Sequence, residues 1–203
     1  MNSFFDDNYQ PPKSIVARIS RRQFLKAAAV TSAITALPAS TLAKAANVDF
    51  NVEPWATLDH VMQHLLPSSE TGPGAKDFAA INYLYLLITE QPIAEDEKQF
   101  IKNGVGWLNG YTEKNMSAKF IHLTTAQKEQ ALKQISRSRA GENWISTLLS
   151  YLFEAMLAPS AYGGNPNGIG WQWLNHQAGF PMPSKDKRYW QLPAYGQINV
   201  KQG

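Results

Sequence analysis

From Trp55 to Ala158 the apolar side chains return every three or four positions. No stretch alternates long enough, with enough β-branched residues, to make a sheet. That period restricts the chain to an all-α fold. Trp55, Leu58, Val61, Met62, Leu65 and Leu66 mark a first helix that stops at Pro67. Phe78, Ile81, Leu84, Tyr85 and Ile88 mark a second, ending near Gln91-Pro92, and Pro73 suits its opening because proline lacks the N–H that goes unpaired there. Glu95, Asp96 and Glu97 open a third as a solvated, dipole-complementing first turn, followed by Phe100, Ile101, Val105, Trp107, Leu108 and Tyr111 on its inner side. Gly104 and Gly106 within it mark either close packing or a break.

Thr124 and Gln127 stand in the relation of a capping box, opening a helix that carries Ala131, Leu132 and Ile135. Gly141 separates it from the most apolar segment, Trp144 to Ala158, where Glu154 is the only charge. This segment is the expected central core helix. After Pro159 the texture changes: residues 159–196 hold six Gly, five Pro and seven aromatics, a composition suited to an irregular segment lying on another surface. The expected architecture is therefore one compact helical domain of about five helices over residues 46–203, with an irregular Gly/Pro/aromatic-rich tail at 159–203.

The 203 residues include no cysteine, which excludes disulfides, thiolate zinc sites, cysteine-ligated iron–sulfur clusters and covalent c-type haem. The net charge of +3 does not indicate nucleic acid, because residues 1–45 carry a balance of +4 and the remainder −1. The basic character belongs to an export leader. Ser20-Arg21-Arg22-Gln23-Phe24-Leu25-Lys26 matches the twin-arginine consensus at Ser20, Arg21, Arg22, Phe24, Leu25 and Lys26. A mild apolar stretch, Ala27 to Leu37, follows, then Pro38 and an Ala-x-Ala match that places cleavage after Ala45, or alternatively after Ala43. The expected leader is thus 1–45, the expected destination the periplasm, and the translocase a transient partner. No apolar run approaches the roughly 18 residues of a membrane span.

The twin-arginine route carries cargo that is already folded, usually around a cofactor. The rest of the chain offers no cofactor motif. His60 and His64 have a metal-compatible i, i+4 spacing, but no third ligand is evident. Glu154 on an apolar helix needs a partner or a raised pKa, and a structural contact is the expected answer. Residues 163–170 are glycine-rich but have neither the dinucleotide fingerprint nor the P-loop lysine. Trp171 and Trp173 suit a protein interface, core packing or sugar stacking. The economical reading is that the chain carries the signal for a partner that holds the cofactor.

Three features resemble the gluconate 2-dehydrogenase subunit 3 family: the twin-arginine leader; Leu66-Pro67 followed by Gly72-Pro73-Gly74-Ala75; and Tyr162-Gly163-Gly164-Asn165, Gly170-Trp171 and Gly179-Phe180-Pro181. Gly72 stands where the family typically has threonine. The resemblance runs from the leader to about Pro183, on short motifs in the right order. It implies a non-catalytic small subunit beside an FAD-dependent large subunit of the glucose–methanol–choline type and a cytochrome c subunit with haem. No catalytic, cofactor or metal residue is then expected here. The expected partner-binding residues are Pro73, Gly74, Tyr162, Asn165, Trp171, Trp173 and Phe180. The alternatives are a stand-alone periplasmic enzyme using His60 and His64, or a sugar-binding module using Trp171 and Trp173.

Overall fold

The computed structural model describes residues 3–18 and 48–176. The twin-arginine residues Ser20, Arg21, Arg22, Phe24, Leu25 and Lys26, the cleavage positions and Phe180 lie outside the described residues. The described residues form seven α-helices: α1 Lys13–Arg18, α2 Trp55–Leu65, α3 Ala80–Glu90, α4 Glu95–Met116, α5 Thr125–Ile135, α6 Arg139–Leu157 and α7 Ile169–Trp173. Three short 3-10 turns, Phe120–His122, Ser160–Tyr162 and Pro166–Gly168, complete the list, and no strand occurs among the described residues.

The apolar period explains the packing. On α6, Trp144, Leu148, Tyr151, Leu152 and Ala155 are buried, so this helix forms the axis of the core. Helix α3 packs along it with Ile81, Leu84 and Ile88, and α2 adds Leu58, Val61 and Met62. Helix α4 turns Phe100, Ile101, Gly104, Val105 and Leu108 inward, the i, i+3, i+4 stripe of an amphipathic helix.

Gly104 marks close packing and not a break, because α4 runs unbroken from Glu95 to Met116. A Cβ at Gly104 would collide with the Trp144 indole, which is held there by its N–H donating to the Ile101 carbonyl at 3.0 Å. The Thr124–Gln127 capping box forms as expected, with both reciprocal bonds present, a feature worth about 1 kcal/mol.

Four expectations need correction. Helix α3 begins at Ala80, not near Pro73. The Ala75 N–H turns back to the Leu66 carbonyl at 2.8 Å, and Ala79 sits at φ 52°, so a helix running from Pro73 would be broken there. Gly141 does not separate two helices: α6 starts at Arg139, and the Gly141 N–H donates to the Ser138 Oγ cap at 3.0 Å. Glu97 is not part of a solvated turn. It is 2% exposed and accepts a hydrogen bond from the Tyr151 hydroxyl, which gives a buried carboxylate the partner it requires. Finally, residues 160–173 are not wholly irregular, since two 3-10 turns and α7 order them.

Buried side-chain nitrogen and oxygen atoms are all hydrogen-bonded among the described residues. Asn109 joins three elements: its Nδ2 donates to Glu53 Oε1 at 3.0 Å and Thr57 Oγ1 at 3.1 Å, and its Oδ1 accepts from the Phe120 N–H at 3.1 Å. This ties the segment entering α2 to α4 and to the turn that precedes α5.

Candidate partner-binding face

The loop between α2 and α3 is built by short-range bonds. Ser69 and Gly72 exchange backbone hydrogen bonds at 3.0 and 3.3 Å, closing a tight turn. Asp77 accepts from the Ser68 hydroxyl and from the Gly74 N–H, the latter at 2.8 Å. The Ser68 bond, then the Gly74 bond, holds its carboxyl below the ordinary aspartate range. Pro73 is half-buried and Gly74 is buried beneath this loop.

The segment after α6 folds back onto the same loop. Asn165 is its anchor, fully buried in the left-handed region at φ 49°. Its N–H donates to the Phe78 carbonyl at 2.8 Å, and its Nδ2 donates to the Ala158 carbonyl at 3.1 Å. Its Oδ1 accepts from the Gly170 N–H at 2.7 Å. One side chain therefore joins the end of α6 to the start of α7, while its backbone reaches the loop before α3. Asparagine suits the position because it tolerates the left-handed region and supplies both a donor and an acceptor.

Two indoles complete the closure. Trp171 Nε1 donates to the Leu157 carbonyl at 2.8 Å. Trp173 Nε1 donates to the Thr71 carbonyl at 2.9 Å, across 102 residues of sequence. The Trp173 ring lies over Gly72 so closely that a Cβ there would sit 2.6 Å from the ring. Gly72 is thus the position that accepts the indole.

Of the described partner-binding residues expected from sequence, Gly74 and Asn165 are buried and act inside the chain. Pro73, Tyr162 and Trp171 are half-buried, and Trp173 is about half exposed at 47%. Three exposed apolar residues were not anticipated: Phe153 and Leu157, one helical turn apart on α6, and Leu174 just beyond α7. For Phe153 and Leu157 the signal in the sequence is the width of the apolar face on α6, broader than one core contact needs.

The histidines do not converge on one point. His60 Nδ1 lies 3.0 Å from Lys128 Nζ, and His64 Nε2 lies 3.0 Å from Glu129 Oε2, both on α5. Burial, then the Lys128 charge, lowers the His60 pKa, which disfavours its charged form. Among the described residues no three His, Asp or Glu side chains gather in a metal-binding group. Glu154 is exposed and accepts from the Tyr83 hydroxyl at 3.2 Å, the structural contact expected of it.

Among the described residues, no helix is long and apolar enough to cross a membrane. The family model described as gluconate 2-dehydrogenase subunit 3 matches residues 53–179, which include the whole loop-and-tail closure. The model described as a twin-arginine translocation pathway signal sequence matches residues 18–38. Comparisons with curated proteins and with solved structures return no match.

Proposed function

Starting from the chain's membership of the gluconate 2-dehydrogenase subunit 3 family, we propose that it is the non-catalytic small subunit that carries an FAD-dependent large subunit through export and stabilises it. The twin-arginine signal directs the chain to the periplasm. Family and signal together make it an exported subunit of a dehydrogenase complex. In our reading the large subunit is of the glucose–methanol–choline type, oxidises a sugar or sugar acid such as gluconate, and passes electrons to a cytochrome c subunit. The complex then sits at the periplasmic face of the inner membrane.

One observation carries this reading. The two motif-bearing segments, 66–79 and 160–176, are locked together by Trp173 and Asn165, Trp171 ties the second of them to the end of α6, and apolar side chains at and beside the closure remain exposed. A rigid platform with an aromatic at its rim is what a protein partner uses as an anchor.

Two results test it. Changing Arg21 and Arg22 together to lysine should leave the large subunit in the cytoplasm, as judged by its flavin and mass in fractionated cells. A large subunit that still reaches the periplasm refutes the carrier role. Leu174→Asp alters an exposed side chain and should leave the fold intact. It should weaken the complex by about thirty-fold or more, the effect of losing one hot spot of about 2 kcal/mol. Unchanged affinity by titration calorimetry would move the interface elsewhere.

A further inference from the structure

The leader upstream of the twin-arginine motif is part of the folded domain. An export signal needs only a polar, basic stretch at its start. Here residues 3–18 contain Phe4, Phe5, Tyr9 and Ile15, and the structure gives these side chains specific places. Phe4 is 2% exposed, with its ring edge-on to Trp107 at 5.2 Å and tilted against Trp144 at 5.5 Å. Tyr9 stacks on Phe100 at 6.0 Å, and its hydroxyl accepts from Asn143 Nδ2 at 3.0 Å. Phe5 meets Tyr111 at 5.8 Å. Ser14 on α1 donates to Asp96 Oδ1 at 3.0 Å, which fixes α1 beside the first turn of α4.

These contacts have a shared logic. Phe4 reaches Trp107 on α4 and Trp144 on α6, so its site exists only when those two helices are packed together. The hydrogen bonds of Tyr9 and Ser14 to Asn143 and Asp96 fix the segment's register on the same pair of helices. The twin-arginine motif begins two residues after α1 ends.

We propose that residues 3–18 are a docking segment whose occupied site is the aromatic cleft between α4 and α6. The leader is held there without covalent help, and cutting the chain between the motif and the domain does not release it. This is independent of which partner the domain carries. Processing after Ala43 or Ala45 then yields a two-chain particle, and the export motif is tethered to the body only while α4 and α6 are assembled.

The test uses the full chain with a site for a sequence-specific protease inserted after Ala39. After cutting, the N-terminal fragment should co-elute with the body in gel filtration and appear bound to it in native mass spectrometry. Phe4→Ala should weaken retention by roughly a hundred-fold, as expected when a buried aromatic is lost, and the fragment should then separate on dilution. Tyr9→Ala, at the partly exposed rim, gives a milder version of the same release should Phe4→Ala fail to fold. Tryptophan emission should shift to the red as the fragment leaves, because Trp107 and Trp144 lose their cover. Separation of the native fragment, or equal retention in all three chains, overturns the proposal.

Discussion

Trp144→Ala should lower the unfolding free energy by about 3–5 kcal/mol, the usual cost of removing a fully buried indole. The ring has no exposed surface, donates to the Ile101 carbonyl at 3.0 Å, and packs directly against Phe4. A domain has only about 5–15 kcal/mol in all, so the loss is severe. For a chain of this size it should reduce Tm by roughly 6–20 °C, read by circular dichroism at 222 nm. A companion substitution makes the mechanism specific. Gly104→Ala should destabilise the native chain by about 1–3 kcal/mol, because its methyl meets the same indole. In the Trp144→Ala background it should cost almost nothing. A double-mutant cycle with no coupling would show that the two residues do not share one packing site.

Asn165→Ala should be the second largest loss, about 2–4 kcal/mol, concentrated in one region. It leaves the buried Gly170 N–H and the Ala158 carbonyl without partners, each worth roughly 1–3 kcal/mol, and places alanine in the left-handed region. The segment from 159 to 176 should open while the helical core stays closed. Hydrogen exchange should therefore quicken at Asn165, Gly170 and Leu174 and remain slow in α4 and α6. Asn165→Asp restores the acceptor but not the donor and should fall between the two. Uniform loss of protection across the whole domain would mean that the closure belongs to the global core.

Much of the fold was legible in the sequence because helical period and capping are local. The stripes on α2, α4 and α6 and the Thr124–Gln127 box lie within one or two turns of themselves. The errors arose where a distant group decides. Glu97 reads as one acid among three at a helix start, and only the approach of Tyr151, 54 residues later, makes it a buried partner. Phe4 and Tyr9 lie in the stretch that reads only as leader, and Tyr9 finds its partner Asn143 134 residues away. Pro73 offers a plausible helix start until the turn back to Leu66 and the left-handed Ala79 intervene. At the candidate face, the sequence supplied both motifs as separate strings. Their closure through Trp173 and Thr71 is a tertiary fact with no local signature.

The anchor of that closure also has a particular chemical durability. Asparagine ages by attack of the following residue's backbone nitrogen on its own carboxamide, closing a succinimide ring. After Asn165 that nitrogen belongs to Pro166, which has no N–H, so this route is closed at the one carboxamide the closure depends on. Two residues on, exposed Asn167 precedes Gly168, whose nitrogen carries the N–H that Pro166 lacks and which has no side chain of its own to hinder attack. Stored protein should therefore gain negative charge at Asn167 before Asn165. The carbonyl that Asn167 offers to Gln172, at 2.9 Å, belongs to the backbone that rearranges. Wear then begins at the outer skin of the turn and spares the amide that holds it shut.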